Sequence, residues 1–351
     1  MTIQNILTKL ISYKTVSGNF NEVSKCFDFI REYLGDKFYY KTFEYNKFQH
    51  LLIGTKEDMV NFDVLFLNHI DVVHAKDEDF TAKIDGDKLY GRGSIDNKGQ
   101  VATILHLLKN NKFDKNIGLL LTSDEEIGGH NGAEIIEREH LVKPKLIIVA
   151  DAGENFRFVD SEKALLQLDL ITTGISCHAS VPNLGKNAII NALDIYQDLC
   201  KHFQLDTTCP VNDNISIVLS KINAGDAYNK VPALCQWAID IRHSNIAREE
   251  ILQVLDRICK SNTTYAIHNK TNEFKCMMDN EYVIEFIDKC EKYLGHKLSH
   301  IDENGASDVN FFYDTPAVCI NPDGYNMHSD NECVILSSLD KFEAMLHYYL
   351  S

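Results

Sequence analysis

Seven residues stand out by type and position. His69 and Asp71 lie two apart at the end of an apolar run, DVLFLNHIDVV, so on a strand they share a face. Asp96 sits in LYGRGSIDNKG (Leu89–Gly99), where Gly91 and Gly93 permit a sharp turn ahead of an amphipathic run. Glu125 and Glu126 follow a second apolar run in TSDEEIGG. Asp151 closes a third, KLIIVAD, and His328 sits in the polar loop NMHSDNE. Imidazole and carboxylate without thiolate suit zinc, with cobalt or manganese as alternatives. One imidazole, one carboxylate and a shared Asp96 would serve each of two divalent ions: His69 with Asp151, and His328 with Glu126. Three ligating carboxylates against two divalent cations leave one positive charge, which a bridging hydroxide neutralises. Glu125 would take the proton of a metal-activated water, the arrangement of general-base hydrolysis. Asp71 would orient the His69 imidazole, directly or through the bridging carboxylate.

Taken singly, each residue has a plainer reading. A His and an Asp at a strand end, a bare DEE turn and a loop histidine are common surface features, and Glu154 competes with Asp151 for the ligand role. The set is stronger than its members. Clustered carboxylates repel by roughly 4 kcal/mol per close pair at an effective dielectric near 20, so an acidic cluster of this kind calls for cations.

The elements that must position these residues follow from periodicity. Ile3 to Ile11 reads as a short helix, and Asn21 as a cap for the helix EVSKCFDFIREYL. Strand candidates FYYKTFEY, HLLIGTK and DVLFLNHIDVV come next, then a helix from about Lys98 to Lys109. The strand IGLLLTS, the helix GAEIIEREH and the strand KLIIVADAG complete an alternating pattern. Alternation of strand and helix implies an α/β fold, a mostly parallel sheet flanked by helices on both faces. Such sheets place function at the carboxyl ends of their strands, where His69, Asp71, Glu125, Glu126 and Asp151 all fall.

After Glu162 the character changes. ALLQLDLITTG, KNAIINALDIYQDLCKHF, NISIVLSKINAG, LCQWAIDIRH and REEILQVLDRICK run strand, helix, strand, strand, helix. This order predicts an inserted α+β domain over 163–271, within a metal-binding domain built from 1–162 and 272–351. The tail (EYVIEFIDKCEKYL, PAVCIN, LDKFEAMLHYYL) must rejoin the first part, because His328 is needed there.

The bulk numbers narrow the partners. Lys+Arg 35 against Asp+Glu 51 gives a net charge of -16 over 351 residues, which argues against nucleic acid and against an anionic membrane surface. No apolar run approaches the ~18 residues of a membrane span, and the N-terminus lacks a signal-peptide pattern. The cysteines are scattered without a C-x-x-C, which suggests a reducing cytoplasm. No G-x-S-x-G nucleophile elbow and no phosphate-binding loop occurs.

The motifs HIDVV, YGRGSIDNKG, TSDEEIGG, VADAGE, GISCHASVPNLGKNAI, NKVP, DIRH, GASD and MHSDNE follow one another along the chain. In this order they resemble the dinuclear-zinc family of aminoacylases, acetylornithine deacetylase, succinyl-diaminopimelate desuccinylase, carboxypeptidase G and related dipeptidases. The resemblance implies a zinc-peptidase-like catalytic domain with an inserted lid and dimerisation domain. It implies two zinc ions, Asp96 as bridge, Glu125 as base and a cis peptide between Asp96 and Asn97. It also implies that His178 holds the polarised carbonyl, in many members from the partner subunit of a homodimer. Arg242 would clamp the substrate carboxylate, since its planar fork fits two oxygens. Asn229 and the loop from Gly305 to Ser307 would line the same pocket. The departures are Asn68 where glycine is frequent, His74 where proline often stands and Asn97 where methionine is common. The expected activity is hydrolysis of an N-acyl amino acid. A dipeptidase or carboxypeptidase is the rival, and a non-catalytic metal-binding scaffold is the alternative of another class. Retention of Glu125 and of every proposed ligand stands against the scaffold.

Overall fold

The computed structural model describes residues 1–259 and 261–351, and the chain divides into two compact units. The first comprises Met1–Ser161, Phe274–Glu303 and Ser307–Ser351; the second comprises Glu162–Glu273 and Asn304–Ala306.

The first unit is built on a six-stranded sheet in the order Tyr39–Tyr45, Phe48–Gly54, Ile117–Thr122, Val64–His69, Ile147–Val149, Ala317–Cys319. The last four strands are mutually parallel, and the first two form an antiparallel hairpin on one edge. The central strands are buried on both sides, which explains why their sequences read as apolar runs rather than as alternations. Val64, Phe66, Leu119, Leu121 and Ile148 face a core formed with the helices Ile3–Ile11, Phe20–Leu34, Lys98–Asn110, Glu281–Leu294 and Leu336–Leu350. Leu65, Leu67, Leu120, Ile147 and Val149 face the other core, with Ala133, Ile136 and Phe311. Register holds the strand ends level: His69 pairs with Thr122, and Leu67 with Val149. The segments leaving these three strands therefore emerge side by side, carrying Asp71, Glu125 and Asp151.

A second, smaller sheet was not expected. Lys83–Asp85, Lys88–Tyr90, Cys333–Ile335 and Gly324–Tyr325 pair antiparallel, in strands of two or three residues that are too short to show a period. It matters because Tyr90 pairs with Cys333, which brings the turn before Asp96 against the loop after His328.

The second unit is a four-stranded antiparallel sheet in the order Ile215–Ala224, Leu234–His243, Ala164–Thr173, Thr263–Lys270. The helices Ala188–His202 and Arg248–Ile258 share one core with Leu166, Leu168, Ile217, Trp237, Ile239 and Ile241. Asn187 caps the first helix by accepting a hydrogen bond from the Ile189 amide. The strand Thr263–Lys270 was missed in the sequence. Lys260, the last residue of the expected helix REEILQVLDRICK, lies outside the described residues.

Two local expectations are corrected. The helix Phe20–Leu34 begins two residues earlier than its apolar pattern suggests, with Asn19 at the cap position and Asn21 inside the helix. The segment GAEIIEREH forms only the short helix Ala133–Arg138. Among the described residues no helix is long and apolar enough to cross a membrane.

Candidate active site

Glycine geometry shapes the turn that carries Asp96. Gly93 has φ +82, and a Cβ there would meet Val72 Cγ1 at 2.9 Å and Lys98 Cδ at 3.0 Å. The turn is thus pressed onto the strand segment behind it and onto the first residue of the helix Lys98–Asn110. Lys98 is fully buried and donates from Nζ to the carbonyls of Leu10 at 3.1 Å and Tyr13 at 2.8 Å. The Asp96–Asn97 peptide is cis, as the resemblance implies.

The two carboxylate oxygens of Asp96 face different histidines. Oδ1 lies 2.9 Å from His69 Nε2, and Oδ2 lies 2.8 Å from His328 Nε2. Each histidine has a second carboxylate: Asp151 Oδ1 is 3.4 Å from His69 Nε2, and Glu126 Oε2 is 3.0 Å from His328 Nε2. Glu125 belongs to the same cluster, since one ligating atom from each of His69, Glu125 and Asp151 falls within 4.8 Å of the others. The competitor Glu154 is not among the grouped ligating residues and pairs with Arg157 at 3.2 Å.

The electrostatics fit a cation. Burial alone would push the His69 pKa down, yet Asp151, Asp71 and Asp96 raise it well above the usual histidine range. His328 is raised to about 10 by its hydrogen bonds to Asp96 and Glu126. Burial works against the Asp96 charge, and the two imidazoles overcome it and hold the carboxyl far below its ordinary value. Glu125 is raised well above the usual range by burial and by the charges of Asp151, Asp308 and Glu126, against the opposing effect of His69. Two imidazoles drawn toward their protonated forms mark an excess of negative charge. Divalent cations supply the missing positive charge without protons, so the donor set suits them.

Around these side chains, hydrogen bonds set orientation. His69 Nδ1–H donates to the Asp71 carbonyl at 3.0 Å, which leaves Nε2 as the free donor atom. The Asp71 carboxylate is farther, 3.6 Å from Nδ1. It accepts instead from the main-chain amides of Glu125 at 3.3 Å and Glu126 at 3.2 Å, and from Ser17 Oγ at 2.6 Å. Asp71 therefore reaches the imidazole through its main chain, and its carboxylate holds the turn bearing Glu125. Asn97 and Asn68, both departures from the family pattern, meet each other: Asn68 Nδ2 donates to Asn97 Oδ1, and Asn97 Nδ2 donates to Asp151 Oδ1 at 2.9 Å.

Sequence reasoning gave no role to Asn68, Asn97, Ser17 or Glu332, all tied into this cluster. Glu332 had a visible signal, an acid directly preceding the apolar run CVIL in a motif already noted for His328. The asparagine pair had none, because a contact between positions 68 and 97 requires the fold.

The remaining candidates lie in the second unit, Ser307 excepted. His178 is exposed, and its Nδ1 accepts from the Ser180 amide at 3.2 Å and sits 2.7 Å from Ser180 Oγ. The proton is therefore on Nε2, which is left as an outward donor. Asn229 is tied to the same loop, its carbonyl accepting from the Ala179 amide at 2.9 Å. Arg242 lies on the sheet face opposite the helices, with Nε 2.8 Å from Asp240 Oδ1; Gln167 Nε2 in turn donates to Asp240 Oδ2 at 2.6 Å. Gly305 is exposed, and Ser307, in the first unit, caps the short turn Asp308–Phe311.

A family model described as peptidase family M20/M25/M40 matches residues 65–351. The succinyl-diaminopimelate desuccinylase of Rickettsia felis is 25% identical over 381 residues, covering 99% of this chain and 98% of that protein. The one from Buchnera aphidicola is 27% identical over 317 residues, covering 82% and 83%. Among solved structures, a metallo-carboxypeptidase from Sulfolobus solfataricus superposes with a TM-score of 0.81 at 19% identity, covering 100% of this chain and 98% of that one. A tripeptidase from Staphylococcus aureus gives a TM-score of 0.81 at 17% identity, covering 99% and 96%.

Proposed function

The chain belongs to peptidase family M20/M25/M40, and from that premise we propose that it hydrolyses the amide bond of an N-acyl amino acid. It is a metal-dependent amidohydrolase or peptidase. The observation that carries the hydrolytic reading is Asp96, whose two oxygens each face a histidine, at 2.9 and 2.8 Å, beside a Glu125 whose pKa burial and neighbouring carboxylates raise, as suits a base that takes and returns a proton. His69, Asp151 and Asp96 would hold one ion, and His328, Glu126 and Asp96 a second; zinc suits the donors best, with cobalt or manganese as alternatives. When bound, the ions would polarise the amide carbonyl and make water ionise near neutral pH.

The chain's own residues supply the rest. Glu125 accepts the proton of the attacking water and returns it to the leaving amine. The Asp71 carboxylate keeps the Glu125 and Glu126 amides in place while it does so. His178, with its proton on Nε2, donates to the carbonyl oxygen as negative charge develops there. Arg242, steadied by Asp240, takes the carboxylate of the amino-acid portion in a two-point contact.

The desuccinylase relatives match over nearly the whole chain, which supports the N-acyl reading. The same carboxylate grip would also hold the C-terminus of a short peptide, so a peptidase is the second reading. A panel of N-succinyl and N-acetyl diamino acids, dipeptides and tripeptides, run with metal analysis, separates them. Turnover of N-acyl substrates at least tenfold above the peptides is expected, and the reverse order makes the protein a peptidase. Glu125→Gln should lower kcat by about 10²–10⁴-fold while metal stays bound. An unchanged kcat, or no turnover of any amide by the wild type, would sink the catalytic assignment.

A further inference from the structure

Glu332 takes no part in the steps above, yet it is 97% withdrawn from solvent, at 3% exposure. Its Oε2 accepts from the Gly93 amide at 2.9 Å and from Arg92 Nη1 at 2.7 Å. Its Oε1 accepts from the Ile95 amide at 3.1 Å and the Asp96 amide at 3.2 Å. Three main-chain donors from one short turn thus converge on one carboxylate. Two neighbouring amides bond within the turn itself: Ser94 donates to the Gly91 carbonyl at 3.0 Å and Lys98 to the Gly93 carbonyl at 2.8 Å. Those of Gly93, Ile95 and Asp96 are left to Glu332.

The placement of this carboxylate is fixed from the other side. The Gly91 amide donates to the Glu332 carbonyl at 3.1 Å, and the next residue, Cys333, pairs with Tyr90 in the small antiparallel sheet. Glu332 also lies on the segment that carries His328, whose Nε2 is 2.8 Å from Asp96 Oδ2. The Glu332 side chain therefore joins the turn bearing the shared carboxylate to the loop bearing one of its histidines through three main-chain bonds, where Arg92 adds one longer bond, from Nη2 to the Ser329 carbonyl at 3.4 Å. Any shift of the Asp96 amide is passed directly to its side chain.

We infer that Glu332 is a positioning residue: by gathering the Gly93–Asp96 turn onto the His328 segment, it fixes the spacing of Asp96 and His328 and so sets the affinity of the centre for metal. The inference rests on the metal-centre reading above. It assigns Glu332 to metal affinity rather than to a general ion pair with Arg92. Replacing its charge with an amide removes one acceptor and sets a donor against the turn's own donors, whereas removing Arg92 leaves all three main-chain bonds in place.

The test uses the full chain as wild type, Glu332→Gln, Glu332→Asp and Arg92→Gln. Each is dialysed to equilibrium against a chelator-buffered series of free Zn2+, and bound zinc is measured by atomic emission. Circular-dichroism melts in chelator record whether each metal-free form is folded. Glu332→Gln should bind at least one ion about 10–100-fold more weakly, the range seen when groups that orient metal ligands are removed. Glu332→Asp should fall between it and the wild type, and Arg92→Gln within about threefold of the wild type. A folded Glu332→Gln with a wild-type isotherm overturns the inference, as does an Arg92→Gln that loses as much zinc as Glu332→Gln. If Glu332→Gln does not fold, Glu332→Asp decides: weakened zinc supports the role and a wild-type isotherm overturns it. A wild type that binds no zinc would instead refute the metal-centre reading itself.

Discussion

Asp96 divides its two oxygens between two histidines, and each histidine brings one further carboxylate. A residue shared in this way has a different mutational signature from one that is not. Asp96→Ala should strip both ions, because each site loses a ligand and both cations lose the carboxylate they would share. His328→Ala should mainly weaken the site it shares with Glu126. Metal content after gel filtration in metal-free buffer reads the difference: toward zero per chain for Asp96→Ala, toward one for His328→Ala. Equal metal loss in the two variants would remove the bridging role. Each of these residues alone had a plainer reading in the sequence, and only the set, most of it closing apolar runs, pointed to one cluster. What stayed hidden is the layer that orients them. Asn97 holds Asp151 through its side-chain amide, and Asp71 reaches His69 through its carbonyl, and neither contact follows from spacing along the chain.

Elements long enough to show a period were legible, and short ones were not. The helix Ile3–Ile11 falls where its apolar spacing put it, with Thr2 closing a capping box, and the buried central strands fall where the unbroken apolar runs lie. The strands of the small sheet have two or three residues each, and their pairing depends on His328's loop returning beside the Asp96 turn. A prediction belongs to this scale in the second unit, at the end of the strand Leu234–His243. His243 is 4% exposed, its Nδ1–H donates to the Ile246 carbonyl at 2.9 Å, and its Nε2 has no hydrogen-bond partner among the described residues. Burial, with the charge of Arg248, lowers its pKa below the ordinary histidine value. The sign follows from linkage. As pH falls below about 6.5, the unfolded chain binds a proton that the native imidazole resists, so stability is full above that pH and declines toward the folded pKa. His243→Gln, which keeps an N–H for Ile246, should lose less stability than the wild type between about pH 7 and about pH 5. Urea unfolding at the two pH values measures it, and equal losses would show that His243 does not carry acid sensitivity.

At the scale of the whole molecule, the candidate residues are divided between two compact units. The proposed metal ligands and Glu125 belong to the first, and His178, Asn229 and Arg242 belong to the second. We propose a homodimer formed through the second unit, in which the His178 of one chain serves the metal centre of the other. That unit carries an edge strand, Ile215–Ala224, with Val218 and Ile222 about half exposed, the kind of apolar edge that a partner would cover. Neither Glu125→Gln nor His178→Ala should be active alone. When the two are mixed and allowed to exchange, random pairing makes half the dimers hybrid, and in each hybrid one centre combines an intact Glu125 with an intact His178. Activity should then recover to about a quarter of the wild-type value per chain, the fraction of centres restored in a two-fold dimer. Differently tagged chains that copurify establish that exchange has taken place. With exchange established, no recovery means that His178 acts within its own chain, and a monomer in sedimentation would remove the dimer altogether. Because each intact group comes from a different variant, recovered activity cannot arise from either chain alone, so this experiment separates transfer between subunits from closure within one.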